Sequence, residues 1–198
     1  MCQLIESIKV QNRQLQNIRY HDERFNLTRK ELFGINDRAR LSELIHLPQH
    51  INSSVYKCRI IYSESIHSIE FQPYTPKTIS SLKIVHSDDI DYRYKYADRT
   101  VFSGLLENIE EDDMLIIKNG LVTDTSYANI VFYDGSKWIT PESYLLNGCM
   151  RRFLLDTKQI TEQKIAINDI RNFKTARLIN AMLGLEDGLP LSVDKIHF

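Results

Sequence analysis

Lys95 stands in the stretch "YRYKYADRT", residues 92–100, between two tyrosines and with Arg93 and Arg99 close by. A lysine amine becomes a nucleophile when burial or a cationic neighbour lowers its pKa, and this setting offers both ingredients. The same residues also describe a solvated lysine on a basic, aromatic surface. Asp124 lies in "GLVTDTSYANIVFYDG", a carboxylate among Thr, Ser and Asn just after a predicted turn. Asx and Ser/Thr turns in a polar loop account for such a group equally well. In "LLNGCMRRFLL", Gly148 lets the backbone approach a ligand closely, and a helix then opens with its N–H groups exposed, a geometry that binds phosphate. In "YHDERFNLTRKELF", Arg24 falls one helical turn after His21. A guanidinium there could clamp a phosphate bidentately, or could share a solvated helix face with Asp22, Glu23 and Lys30.

Other clusters point nowhere specific. His46 and His50 are four apart, but Pro48 between them breaks the helix that would align them on a metal. The Tyr/Arg run around Lys95 could stack bases and touch phosphates, yet it is one short stretch bordered by Asp91 and Asp98. The net charge is −1, so no global field favours a nucleic acid or a membrane surface. Apolar runs such as "MLIIK" and "NIVFY" are strand-sized, and "MCQLIESIKV" lacks the pattern of a signal peptide. Cys2, Cys58 and Cys149 are scattered and odd in number, which suits reduced thiols in the cytoplasm.

The elements that must position these residues fit a chain of 198 residues, 42% hydrophobic and 26% charged, long enough for two small domains with apolar cores. "LIESIKV" and "LQNIRY" read as a hairpin around "QNR". "HDERFNLTRKELFG" reads as a helix stopped by Gly34, and "RLSELIHL" as a short helix ended by Pro48. "VYKCRIIYS" and "SIEFQPY" are β-rich, and "PYTPKT" is the best connector. Beyond it, "ISSLKIV" is a strand, and "DRTVFSGLLENIEED" is a helix with Asp98 as a plausible N-cap. "MLIIKNGLVT" turns at Asn119-Gly120 and "NIVFYDGSKWIT" at Asp134-Gly135. "EQKIAI" and "ARLINAMLG" read as strands around a short "NDIRNF" helix. The organisation predicted is a smaller N-terminal α+β domain over 1–73, a connector at 74–78, and a larger C-terminal α/β domain over 79–198 that carries Lys95.

Together the four stretches resemble the class IV aminotransferase superfamily, whose cofactor is pyridoxal 5′-phosphate (PLP). "LIESIKVQNRQLQNIRYHDERF" is similar to its "FETI…G…L…H…R" opening and "KYADR" to its cofactor-lysine segment. "GLVTDTSYANIVF" is similar to "G.VTE…SN.F", and "WITPESYLLNGCMRRFLL" to "YTP…GI.R..LL". The order holds over nearly the whole chain. Among better-known members the 4-amino-4-deoxychorismate lyases are nearest, with "NG(I)MR" and "NA(L)MP" where this chain has "NGCMRR" and "INAMLG".

The resemblance implies an α+β fold of two small subdomains in the D-amino acid aminotransferase-like (fold type IV) architecture, the N-terminal one truncated. It makes Lys95 the lysine of the internal aldimine and Arg24 the arginine on the cofactor phosphate. Cys149 and Met150 would offer backbone N–H groups to that phosphate, and Asn180-Ala181 would lie beside it. Asp124 falls where the family has a glutamate facing the pyridine nitrogen. It is shorter by about 1.5 Å, so the backbone must come nearer or a water must bridge. Arg99 follows the lysine as in some lyases and is a candidate for substrate binding. The implied activity is cleavage of 4-amino-4-deoxychorismate to 4-aminobenzoate and pyruvate, in the folate pathway, by a cytoplasmic homodimer acting on a small amino substrate, with no metal, nucleic acid or membrane. The alternatives are a class IV amino-acid transaminase with the same cofactor and a non-catalytic truncated relative used as a binding module.

Overall fold

The computed structural model describes residues 2–198. The chain divides into two compact units. One comprises residues up to Pro76 together with Tyr94–Asp98, and the other Lys77–Arg93 with Arg99–Phe198. The first thus ends inside the predicted connector. Lys95, however, belongs to the N-terminal unit and not to the C-terminal domain expected from its place in the chain. The cause is pairing: the segment around it hydrogen-bonds along the first strand.

The first unit holds β1 (Leu4–Gln11), β2 (Gln14–Leu15), α1 (Ile18–Phe33), α2 (Leu41–Leu44), β3 (Tyr56–Tyr62) and β4 (Ile66–Pro73). Its sheet is antiparallel throughout, in the order β2-β1-β3-β4. The first turn is tight, with Asn12 and Arg13 both at positive φ. The second hairpin strand is only two residues long, because Ile18–Tyr20, read from sequence as strand, enter α1 instead. Alternation along β1 and β3 puts Leu4, Ile8, Val10, Cys58, Ile60 and Tyr62 in one core with Phe25 of α1. Gly34 closes α1 at φ 71°, where its N–H reaches the Arg29 and Lys30 carbonyls, the left-handed stop that glycine adopts without strain.

The second unit contains β5 (Leu82–His86), α3 (Thr100–Leu106), β6 (Asp113–Lys118), β7 (Leu121–Thr125), β8 (Asn129–Tyr133), β9 (Trp138–Pro141), α4 (Cys149–Asp156), β10 (Ile160–Gln163), β11 (Thr175–Ile179), β12 (Leu191–Ser192) and β13 (Ile196–His197). Two 3-10 turns, Ile167–Asn172 and Val193–Lys195, complete it. Its sheet runs β10-β9-β8-β7-β6-β5-β13 and forks at β8, where β11 adds on one side and carries β12. The β6–β7 hairpin turns at Asn119 and Gly120, both at positive φ as that turn requires. Several sequence expectations shift: the helix read over 98–112 ends at Leu106, and the strand read over 176–184 ends at Ile179. Arg99, not Asp98, occupies the N-cap of α3, and the strand expected over 162–167 is Ile160–Gln163, followed by loop. No helix among the described residues is long and apolar enough to cross a membrane.

Candidate functional site

In the first unit the apolar alternation of β1 is broken at one inward position. Glu6 lies between Leu4 and Ile8 on the core-facing side and is completely buried. Helix α1 supplies its partners from the face that also carries Phe25 and Thr28. Arg24 donates from Nε to Glu6 Oε1 at 2.7 Å and from Nη2 to Oε2 at 2.5 Å, a bidentate pair. His21 Nδ1 meets Glu6 Oε2 at 2.5 Å. An ionised carboxylate only accepts, so Nδ1 carries the proton of that bond. Burial by itself raises a carboxyl's pKa. Here the Arg24 charge, the Arg24 and His21 hydrogen bonds and the His21 charge outweigh it and bring Glu6 down to about 2.

Lys95 is held by the same strand. Its carbonyl accepts from Ile5 N at 2.9 Å, Ala97 N donates to Gln3 O at 2.8 Å, and Leu4 bridges Tyr96. Tyr94 and Tyr96 pack on the core of the unit, edge to face at 6.0 Å. Tyr96 N donates to Tyr94 O at 2.9 Å, so the chain turns tightly at Lys95, which is half-buried. The basic, aromatic run is thus a bent segment bridged to β1 at Tyr96, with Tyr92 buried, Tyr94, Lys95 and Tyr96 half-buried, and Arg93 exposed.

The second unit builds its own constellation around Asp124, at the end of β7. Asp124 is buried, and Asn129 Nδ2 donates to its Oδ1 at 2.8 Å. The backbone N–H groups of Leu145 and Leu146 donate to its Oδ2 at 3.0 and 2.9 Å. Burial pushes Asp124 up to about 6, against the lowering effect of those three bonds and of the Arg151 charge. Asn129 Nδ2 also donates to Leu146 O, so a single carboxamide ties the carboxylate to the loop before α4. Gly148, the N-cap of α4, permits this close approach, because a Cβ at that position would stand 2.1 Å from Asn129 Oδ1 and force the carboxamide or the helix start to shift. Arg151, 2% exposed, anchors the loop from the other side through Asn147 Oδ1, the Pro141 carbonyl and the Glu162 carboxylate.

Cys149 and Met150 form the first turn of α4, whose N–H groups project along the axis with the positive end of the helix dipole. The Met150 side chain is packed with Val131 and Leu154, so only its backbone can serve a ligand. Asn180 spends its side chain on its own turn. Its Oδ1 accepts from Met182 N at 2.8 Å and Leu183 N at 3.1 Å, with Ala181 at the tip. Arg99 Nη2 donates to Ser126 O at 2.5 Å while its guanidinium lies 4.9 Å from the Phe102 ring centroid.

Each unit therefore gathers part of the sequence-derived set. Arg24 and Lys95 both attach to β1, one through the Glu6 side chain and one through the backbone. Asp124 and the start of α4 are joined through Asn129. Sequence reasoning missed Glu6, His21, Asn129 and Arg151. The usable signal for Glu6 was a carboxylate at an inward position of an otherwise apolar strand.

The amino-transferase class IV family matches residues 3–186, and the chain belongs to that family. An uncharacterized protein of Haemophilus influenzae is 37% identical over 188 residues, covering 93% of this chain and 100% of that one. The crystal structure of a Haemophilus somnus protein provisionally named a 4-amino-4-deoxychorismate lyase superposes with a TM-score of 0.85 at 32% identity, covering 93% of this chain and 98% of that one. A hypothetical aminotransferase from Mycobacterium tuberculosis, in its PLP-bound form, shares the fold at a TM-score of 0.74 and 13% identity, covering 98% of this chain and 81% of that one. The fold is thus the α+β architecture of the class IV aminotransferases.

Proposed function

We propose that the chain is a PLP-dependent lyase that converts 4-amino-4-deoxychorismate to 4-aminobenzoate and pyruvate. The observation that carries the cofactor reading is Asp124. It is a buried carboxylate whose three hydrogen-bond donors are all neutral N–H groups and whose pKa is raised to about 6. Such a group gains from a cationic partner, and a pyridinium N–H⁺ is one. Its Oδ2 already accepts two bonds and Oδ1 one, so Oδ1 is the oxygen with capacity for that partner. The lyase reading is supported by the "NGCMRR" and "INAM" runs and by the 32% identity to the Haemophilus somnus protein.

Bound PLP would supply an electron sink for the carbanion formed next to the substrate nitrogen. The chain's own residues divide the remaining work. Arg24 and the N–H groups of Cys149 and Met150 would hold the phosphate, with Asn180-Ala181 as further candidates. Asp124 keeps the ring nitrogen protonated. The Lys95 amine would hold the cofactor and would be the base that takes the substrate's Cα proton. Arg99 would be the candidate for a substrate carboxylate.

Purified protein should show a violet absorbance band that borohydride removes, and mass spectrometry should find the modified peptide at Lys95. Lys95→Ala should abolish that adduct. With aminodeoxychorismate, fluorescent 4-aminobenzoate and pyruvate should appear with no keto-acid co-substrate. A strict keto-acid requirement replaces the lyase by a transaminase. A colourless protein with no adduct at Lys95 overturns both.

A further inference from the structure

We infer that Glu6 is a positioning residue for anion recognition: it locks one edge of the Arg24 guanidinium, so that a phosphate can be gripped only from the edge Glu6 does not take. The inference rests on the PLP reading above and goes beyond it by naming the residue that sets the arginine's geometry.

Glu6 stands on the inward face of β1, where Leu4 and Ile8 are its neighbours along the core. An apolar side chain there would cost far less than a buried charge, so the fold carries the charge against the packing preference of the site. The carboxylate takes Nε and Nη2 of Arg24, the side-on edge, at 2.7 and 2.5 Å. A second bidentate contact can therefore form only end-on, through Nη1 and the outer N–H of Nη2. His21 completes the lock, since its Nδ1 bond to Oε2 fixes which way the carboxylate faces. A free arginine side chain loses many rotamers when it is fixed, and here the ordering is done before any ligand arrives. The charge balance points the same way. Glu6 cancels the Arg24 charge, so the pair recognises a phosphate by the direction of its N–H groups more than by net attraction. A lysine in place of Arg24 could not be held at one edge while presenting another.

The test compares PLP with pyridoxal, which has the same aldehyde and ring but no phosphate. Affinities of wild type and Glu6→Gln are measured by absorbance titration, with circular dichroism as the check on folding. Glu6→Gln should weaken PLP at least ten-fold and leave pyridoxal within two-fold. Glu6→Gln/Arg24→Ala should show the same PLP-to-pyridoxal ratio as Arg24→Ala, because Glu6 acts only through Arg24. Equal losses for both ligands, or an unchanged ratio, overturn the inference and reduce Glu6 to a structural role. If Glu6→Gln does not fold, Glu6→Asp serves. The shorter carboxylate should shift the ³¹P resonance of bound PLP, and an unmoved resonance overturns the inference. Wild-type protein that takes up no PLP is a separate outcome that sinks the PLP reading and this inference with it.

Discussion

Two buried carboxylates, one in each unit, meet opposite fates. Glu6 has no exposed surface and Asp124 is 6% exposed, so burial raises both. Glu6 nevertheless falls to about 2 and Asp124 rises to about 6. The difference is the chemistry of the donors. Glu6 faces a guanidinium held by two short bonds, while Asp124 faces three neutral N–H groups and feels the Arg151 charge only as a weaker contribution. At Asp124 the bonds from neutral N–H groups offset only part of the desolvation, whereas at Glu6 the adjacent full charge together with its hydrogen bonds outweighs it. The Glu6 charge is thus compensated within the first unit, whereas Asp124 in the second is surrounded by neutral donors.

Removing the cation from the completed pair should have the largest effect. Arg24→Met leaves Glu6 buried beside an apolar chain, and breaking a buried pair in this way costs about 3–5 kcal/mol. Urea unfolding at pH 7 should show that loss. It should shrink near pH 4, where Glu6 takes up a proton and the uncompensated charge disappears. A loss of the same size at both pH values would break the contrast, because the charge would then not be its source.

Next in size is the dependence of stability on pH, where the two groups have opposite signs. Glu6 is depressed from 4.5 to about 2, so its contribution is fully present above 4.5 and is lost as pH falls through 2. Asp124 is raised from 3.8 to about 6, so the folded protein holds the extra proton in that window. Its contribution is present below 3.8 and is lost as pH rises through 6. The shift corresponds to an upper limit of roughly 3 kcal/mol. In cofactor-free protein, Asp124→Asn should therefore gain on wild type as pH climbs from 4 to 7. Any constant cost of the substitution drops out of that slope, and a flat difference would show that Asp124 does not titrate as its surroundings dictate.

The contrast was only half legible in the sequence. Asp124 could be singled out from its place after the Asn119-Gly120 turn, and the strands around it follow from alternation and turn residues. The donors on its Oδ2 could not be seen, because they are backbone groups of Leu145 and Leu146, which carry no side-chain signature. Arg24 was visible, but its partner was not. A helix bearing Asp22, Glu23, Arg24 and Lys30 reads as solvated until the strand that covers one face is known. Lys95 was placed in the wrong unit for a related reason. Residues 94–98 are claimed by β1, about ninety positions earlier, through backbone bonds that no local pattern encodes. Glycine stops and hairpin turns are local, so they survived; long-range pairing is not.

A smaller effect should follow from Gly148→Ala. The added Cβ would stand 2.1 Å from Asn129 Oδ1, far inside contact distance, so the carboxamide or the start of α4 must move. Overpacking of this kind costs about 1–3 kcal/mol, and the displaced Asn129 should also lose its grip on Asp124. Combining Gly148→Ala with Asn129→Ala should cost less than the sum of the two, because the second change removes the atom that the first one strikes. Strict additivity in urea unfolding would mean that the two residues are not in conflict.

Asn129→Ala alone is the mildest change and the sharpest probe of the comparison. It deletes the donor on Asp124 Oδ1 and the bond to the Leu146 carbonyl, each worth about 1 kcal/mol net. The loop keeps its Arg151 anchors to Pro141 and Asn147, so the backbone donors on Oδ2 should stay in place. Asp124 then remains buried with one bond fewer to its ionised form, and its pKa should climb beyond about 6 in a carboxyl-carbon NMR titration. Glu6 should not respond, since its state is set by Arg24 and His21. Adding PLP should pull the Asp124 titration down in both proteins, because a ring cation supplies the charge that neutral donors lack. An Asp124 signal that ignores the loss of Asn129, or that PLP leaves in place, would show that burial alone governs it and that no cation is drawn to Oδ1.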